Sequence, residues 1–196
     1  HNLYEHESRH VRAERVIKTF LGKMSRDVIV MGEIGKEVIH NEFKIKKSKI
    51  QIIPHGTFEN IYPKSAKTSK EIKSKLKVPH KNLVYLMAGS VKKYKGAKNA
   101  IQSFKMWNEP NTTLIIAGKF DNDQKELLKN TTEKIMLIDK YLTEIELVDF
   151  YKCCDWVVAP YENIFTSGTI ACAIGYNKPI IAPKIGLIPN YVSSQS

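Results

Sequence analysis

Three lysines lie between two glycines in the stretch GSVKKYKG, residues 89–96. The apolar run NLVYLMA precedes this stretch, and AKNAIQSFKMW, which has helical periodicity, follows it. In α/β proteins, a glycine-rich basic turn between a strand and a helix is a place where anions bind. Gly89 and Gly96 let the backbone approach a ligand closely, and Lys92 and Lys95 supply positive charge. The stretch therefore predicts a phosphate-binding turn, with solvated lysines of a lysine-rich chain as the alternative.

A second polar turn, TSGT, also comes directly before a helical stretch. It consists of Thr166, Ser167, Gly168 and Thr169. Its hydroxyls and backbone N–H groups could hold phosphate oxygens with the help of the helix dipole. The alternative is an ordinary Ser/Thr helix cap, which uses the same unpaired N–H groups and is compatible with an anion site.

The elements that would position these turns form an alternating α/β pattern from residue 83 onward. The predicted strands are near-continuous apolar runs, as in a parallel sheet that is covered on both faces. They cover residues 83–88, 113–118, 135–139, 156–160 and 179–183, and predicted helices at about 97–107, 122–132, 144–152 and 168–175 alternate with them. Such repeated units predict a Rossmann-like, doubly wound parallel sheet. TEIE predicts a capping box, with Thr143 as the N-cap and Glu146 reaching back.

The first part of the chain has a different organisation. An amphipathic helix over 8–24, a strand over 27–32, a helix over 34–43 and a strand over 49–56 form one α/β unit. Residues 57–80 are polar and lysine-rich and predict a linker with one short helix. The division is therefore 1–56, a linker over 57–80, and a Rossmann-like domain over 81–196.

Composition limits the partners. The 196 residues carry a formal net charge of +11, which favours nucleic acid, acidic membrane surfaces or phosphorylated substrates, although lysine richness can also be plain composition. No apolar run approaches the ~18 residues of a membrane span. Three cysteines without a CxxC pair indicate neither a zinc site nor a disulfide framework, and they favour a reducing, cytoplasmic compartment.

The order of these signals resembles a known family. A strand–helix–strand unit precedes IPHG, and the basic turn, a strand ending in IAGK, and the segment CCDWVVAPYENIFTSGTIACAIGYNKPIIAP follow. This order resembles the C-terminal half of nucleotide-sugar glycosyltransferases of the GT-B architecture, family four. The resemblance implies that 1–56 is the end of the acceptor domain and that 81–196 binds the sugar donor. We expect the chain to be a fragment cut at both ends, and the isolated fragment to be inactive.

The resemblance also implies roles for particular residues. Lys92 and Lys95 would approach the donor diphosphate, and Lys93 would face solvent. His1 matches a histidine near the reacting centre, where it could bind a hydroxyl or move a proton. Tyr141 lies where the family holds the nucleobase. The donor-binding set implied in this way is Gly89, Ser90, Lys92, Lys95, Gly96, Tyr141, Thr166, Ser167, Gly168 and Thr169.

The chain departs from the family pattern at one place. Many members carry two glutamates eight positions apart, and Ile164 and Cys172 occupy those positions here, with Glu162 nearby. The resemblance therefore does not specify the donor sugar or whether the reaction retains or inverts configuration. A turn of the T-S-G type in place of the first glutamate resembles a subgroup that acts in bacterial polysaccharide assembly.

The expected function is transfer of a sugar from a UDP- or GDP-sugar to a glycan or lipid-linked acceptor, without an essential metal. Asp121–Asn122–Asp123 resembles a metal-binding D-x-D motif, but helix capping is the favoured interpretation, and Glu5, His6 and His10 fit no common metal site. A basic helix face with Arg9, Arg12, Arg15 and Lys18 could meet anionic lipid, or be merely solvated.

Two other functions compete with this one. One is a nucleotide- or phosphate-binding Rossmann-like module without turnover, which the missing glutamate pair favours. The other is a nucleic-acid-binding domain. It is disfavoured because aromatic residues are not interleaved with the basic runs and no recognised nucleic-acid motif is present. An NAD enzyme is disfavoured because G-x-G-x-x-G is absent.

Overall fold

The structure is a computed structural model that describes residues 11–58 and 61–191. These residues form two compact units. The first holds the described residues up to Gly56, together with Ile164–Thr166 and those from Lys184 onward. The second holds Thr57–Asn163, as far as it is described, and Ser167–Pro183. The domain boundaries expected from the sequence stay a prediction.

The first unit is built on a small parallel sheet. Strands β1 and β2 pair in parallel, with Val28 opposite Ile50, and Val30, Phe43, Ile45 and Ile50 form the buried core. The two strands are shorter than the apolar runs 27–32 and 49–56 predicted. The elements are α1 (Val11–Met24), β1 (Val28–Val30), α2 (Glu33–Phe43), β2 (Ile50–Ile52) and, late in the chain, a short helix, Ile188–Tyr191.

The second unit contains a five-stranded sheet whose neighbouring strands all pair in parallel, in the order β5-β4-β3-β6-β7. The predicted doubly wound parallel sheet is confirmed. The strands are β3 (Leu83–Ala88), β4 (Thr112–Gly118), β5 (Ile135–Asp139), β6 (Trp156–Val158) and β7 (Ile180–Ile181). The helices are α3 (Ser69–Lys75), α4 (Ala97–Trp107), α5 (Glu144–Cys153) and α6 (Gly168–Gly175).

Successive side chains of β3 point to opposite faces of the sheet and divide the core of the second unit into two layers. Val84, Leu86 and Ala88 pack with residues of α5 and α6, whereas Tyr85 and Met87 pack with residues of α4. Every residue of β4 is buried. Burial on both faces explains why these strands read as continuous apolar runs rather than as an alternating pattern.

The capping box at the start of α5 is confirmed. The Thr143 side chain accepts a hydrogen bond from Glu146 N, and the Glu146 carboxylate accepts one from Thr143 N. This signal is local, so the sequence alone was enough to predict it.

The helix predicted over 122–132 is instead a 3-10 helix, Asn122–Asn130. A 3-10 helix rises about 2.0 Å per residue, against about 1.5 Å for an α-helix, so nine residues reach further. The predicted side-chain cap was also wrong, because Asp121 occupies the N-cap position without a side-chain cap bond.

Candidate functional site

The basic turn and the first turn of α6 lie at the carboxyl edge of the five-stranded sheet. From β3 the chain proceeds to β4 and β5 on one side, and then crosses to β6 and β7 on the other. The point between β3 and β6 is therefore the topological switch point, where ligands bind in open α/β sheets. The loops that follow β3 and β6, and the start of α6, surround this point.

The two glycines of the basic turn are required by its backbone. Gly89 has φ 99° and Gly96 has φ 74°, a region that favours glycine. Gly96 is also the N-cap of α4. A Cβ added to Gly96 would overlap the carbonyl oxygen of Pro160. The basic turn is thus packed directly against the loop after β6.

The three lysines of the turn have different surroundings. Lys95 extends over the turn, with Nζ 3.3 Å from Ser90 Oγ. Lys92 Nζ lies 3.9 Å from Asp121 Oδ2. Lys93 is exposed, as predicted. Burial, followed by the neighbouring charge of Lys92, lowers the pKa of Lys95 to about 8. Lys95 is therefore a partly desolvated cation whose charge an incoming anion would stabilise.

The start of α6 adjoins the basic turn. Ser167 is the N-cap, and its Oγ accepts a hydrogen bond from Ile170 N at 3.2 Å. The Thr169 hydroxyl donates to the carbonyl of Ala88 at 3.4 Å, one residue before Gly89. The two predicted turns therefore meet at the end of β3. The structure shows Ser167 as a helix cap, and the anion-site interpretation of TSGT stays a prediction.

Tyr161 joins these turns, although no sequence motif marked it as a site residue. Its side chain is buried, and its hydroxyl lies 2.7 Å from Ser167 Oγ. Its ring stacks on Tyr94 of the basic turn, with 6.5 Å between ring centroids. Burial raises the pKa of Tyr161, against the opposing effect of hydrogen bonds with Ser167 and Thr169. Its place directly after the apolar run 156–160 was the available signal.

The remaining predicted residues differ in their surroundings. Tyr141 follows β5 and is 82% exposed. Gly168 is exposed in the first turn of α6, and Thr166 belongs to the first unit. His1 lies outside the described residues, so its predicted role stays a prediction.

The two positions where many family members carry glutamate are both buried. Ile164 is an apolar core residue, and Cys172 packs among the residues between the sheet, α5 and α6. Burial raises the pKa of the Cys172 thiol to about 11, so it carries no charge at neutral pH. Glu162 is exposed and accepts a hydrogen bond from Asn99 Nδ2 at 3.1 Å.

Within residues 11–58 and 61–191, no three His, Cys, Asp or Glu side chains come together as a metal site would require. Asp121 faces Lys92, and Asp123 Oδ2 accepts a hydrogen bond from Gln124 Nε2. Over the same residues, none of the helices combines the length and the apolar character that crossing a membrane demands.

Comparison with known families decides the class of the protein. The family "Glycosyl transferases group 1" matches residues 68–196. The chain belongs to this family. The match covers the whole basic turn, α6 and the loop that carries Tyr161.

The chain is also similar to a curated relative and to solved structures. A GDP-mannose:glycolipid 4-beta-D-mannosyltransferase of Xanthomonas campestris pv. campestris is 24% identical over 187 residues, covering 93% of this chain and 48% of the relative. Among solved structures, Anabaena Alr3699/HepE in complex with UDP-glucose matches with a TM-score of 0.75 at 18% identity, over 93% of this chain and 52% of that one.

WaaG, a glycosyltransferase involved in lipopolysaccharide biosynthesis, matches with a TM-score of 0.76 at 14% identity, over 95% of this chain and 52% of that one. At these identities the structural likeness shows the fold alone. The chain spans about half the length of the curated relatives it matches.

Proposed function

We propose that the whole protein transfers a sugar from a nucleoside-diphosphate sugar to a hydroxyl of a glycan or lipid-linked acceptor, and that the second unit binds the donor. The observation that carries the proposal is Lys95, a half-buried cation beside Ser90 in the turn after β3. Thr169, in the first turn of α6, donates a hydrogen bond to Ala88 at the end of the same strand. A diphosphate brought there would meet a positive charge and the unpaired N–H groups of a helix start.

The proposed chemistry follows from where charge develops. When the bond from the sugar to the diphosphate breaks, negative charge grows on the leaving phosphate oxygens. Groups already held toward that position stabilise the transition state without reorganising. Lys95 and Ser167 are the groups we assign to this role. Lys92 would join them by exchanging Asp121 for a phosphate oxygen, since its present partner is 3.9 Å away.

The donor is proposed to carry UDP or GDP. The solved Anabaena protein is in complex with UDP-glucose, and the Xanthomonas relative is named for GDP-mannose and a glycolipid. Tyr141, exposed after β5, is proposed to contact the nucleobase, and His1 to act at the reacting centre. We further propose that donor binding requires no metal, since Lys95 and the start of α6 can supply the neutralising charge.

Calorimetric titration of the chain with UDP, GDP, ADP and dTDP tests the donor site. We expect one nucleotide to bind selectively, and Lys95→Ala to weaken it tenfold or more, because a charge-assisted hydrogen bond contributes about 1.5–3 kcal/mol. Lys93→Ala is the matched control, since it removes an equal charge from the exposed side of the same turn. Equal losses of affinity in both variants would mean that only the net charge of the turn matters. Absence of binding in folded protein would contradict the proposal.

A second candidate function is nucleotide binding without transfer. The burial of Ile164 and Cys172, where many family members carry glutamate, favours it. The two functions agree on the nucleotide titration. They differ in what they predict for the full-length protein. If it only binds nucleotide, it would release no nucleoside diphosphate from a UDP- or GDP-sugar in the presence of acceptor.

We also propose that the protein associates peripherally with anionic membranes through α1. The apolar side chains of this helix are between 56% and 73% exposed, namely Val16, Ile17, Phe20, Leu21 and Met24. Arg12, Arg15 and Lys23 on the same helix are exposed as well. An exposed amphipathic helix with basic residues fits the surface of an anionic bilayer, where a lipid-linked acceptor would lie.

A further inference from the structure

The segment Pro160–Glu162 contacts both turns of the proposed donor site. Its backbone packs on Gly96, and Glu162 N donates to the carbonyl of Tyr94 at 2.8 Å. On its other side, the Tyr161 hydroxyl reaches Ser167 Oγ. A single residue therefore touches the basic turn with its ring and the start of α6 with its hydroxyl.

The hydrogen bonds around Ser167 limit where its own hydrogen can point. A hydroxyl has one hydrogen to donate and two lone pairs to accept with. Ser167 Oγ already accepts from Ile170 N at 3.2 Å. If Tyr161 donates at 2.7 Å, the second lone pair is also occupied. The Ser167 hydrogen then has no use in the cap and is available to a ligand.

Thr169 is compatible with the same arrangement. Its hydroxyl donates to the carbonyl of Ala88, so toward Tyr161 it can only accept. Tyr161 thus has two possible acceptors for its hydrogen, Ser167 and Thr169. The 2.7 Å separation from Ser167 Oγ is a normal O–H···O distance, so Ser167 is the acceptor that we assign to Tyr161.

We propose that Tyr161 is a positioning residue for donor binding: by donating to Ser167 Oγ, it turns the Ser167 hydroxyl into a donor aimed at a phosphate oxygen, while its ring on Tyr94 fixes the basic turn beside it. This inference rests on the proposed function. It assigns Tyr161 no contact with the donor, because its side chain is buried.

The test is a double-mutant cycle on the whole chain, with UDP and GDP as the probes and calorimetry as the readout. Tyr161→Phe keeps the ring stack and removes only the hydroxyl. We expect it to weaken binding of whichever nucleotide the wild type binds by about fivefold. Ser167→Ala should weaken binding about tenfold, and the double variant should be no weaker than Ser167→Ala alone, because both changes remove the same donor.

The control is Tyr85→Phe. Tyr85 is a buried tyrosine of the same unit, but it packs on the α4 side of the sheet. The Tyr85→Phe variant should leave nucleotide affinity unchanged, whatever its effect on the melting temperature. This comparison separates a positioning role from a general loss of packing. If loss of packing alone lowered affinity, affinity and melting temperature would fall together in both variants.

The outcomes are distinct. Unchanged or tighter binding by Tyr161→Phe would mean that Ser167 donates to Tyr161, which overturns the inference and leaves the donor site intact. Additive losses in the double variant would also overturn it. If Lys95→Ala weakens binding while Tyr161→Phe does not, only the inference fails. If the wild type binds neither nucleotide, the proposed donor site and the inference fail together.

Discussion

At the scale of single residues, the structure distinguishes lysines that the sequence presents as equivalent. Lys93 faces solvent, and Lys92 pairs with Asp121 at 3.9 Å. Lys95 alone of the three folds back over the turn, so that its Nζ would lie 3.6 Å from a Cβ on Gly89. The same burial that selects Lys95 also destabilises its charge, because desolvation disfavours the ionised form.

The lowered pKa of Lys95 predicts a pH dependence of donor binding. Only the protonated amine attracts a diphosphate, and burial places the pKa of Lys95 at about 8 in the free protein. Affinity for UDP or GDP should therefore fall as the pH rises through about 8, approaching tenfold per pH unit. An ordinary lysine would show this fall only above about pH 10.

Lys95→Arg provides the comparison, because a guanidinium stays charged throughout this range. Calorimetric titrations between pH 6.5 and pH 9.5 should give a falling affinity for the wild type and a flat profile for the arginine variant. Identical profiles would assign the pH dependence to another group.

At the scale of elements, the sequence predicted structures that depend on neighbouring residues better than contacts between residues that are distant in the sequence. β3 and β4 were predictable because they are buried on both faces, and the α5 capping box was predictable because its partners are three residues apart. Adjacency of the basic turn and α6 was implied once a parallel sheet was expected, since both follow strand ends. The contact of Tyr161 with Ser167 and Tyr94 depends on how loops pack, and no local pattern encodes that.

A long-range ion pair illustrates the same limit. Asp149 of α5 is buried, accepts a hydrogen bond from Ser65 Oγ at 2.5 Å, and pairs with Lys67 Nζ at 2.5 Å. Asp149 and Lys67 are 82 residues apart. Nothing in the polar segment 57–80 marked it as attached to α5. The segment expected as a linker is, at this point, fastened to the second unit.

Removing this ion pair should destabilise the second unit. Burial alone would raise the pKa of Asp149, but the hydrogen bonds from Lys67 and Ser65 outweigh it and hold the pKa below its ordinary value. We expect Asp149→Asn to lower the free energy of unfolding by about 2 kcal/mol at pH 7, measured by urea denaturation. The exposed Glu126→Gln is the control and should stay within about 0.5 kcal/mol of wild type.

The sign of the pH effect follows from the lowered pKa. Asp149 should contribute stability above the ordinary aspartate pKa of about 4, and that contribution should disappear as the pH falls through its lower folded-state pKa. The difference between wild type and Asp149→Asn should therefore shrink in acid. A difference that is constant from pH 7 to pH 3 would mean that packing, rather than the ion pair, is responsible.

At the scale of the whole molecule, the chain carries a net charge of +11. Some of its exposed basic residues lie on α1, whose apolar side chains are exposed as well. Basic residues near an anionic bilayer each contribute about 1 kcal/mol, and salt screens this term. The exposed apolar side chains add a contribution that salt does not screen. The charge and the apolar face therefore predict different responses to salt and to mutation.

Co-sedimentation with vesicles of phosphatidylcholine, with and without phosphatidylserine, tests the membrane proposal. We expect binding to the anionic vesicles, partial release at high salt, and a loss of about tenfold for Phe20→Glu, which places a charge on the apolar face of α1. Met106→Glu is the matched control, since Met106 is 86% exposed on α4 of the second unit and should have no effect. If Phe20→Glu leaves vesicle binding unchanged but abolishes self-association of the chain, then the exposed face of α1 docks on protein rather than on lipid.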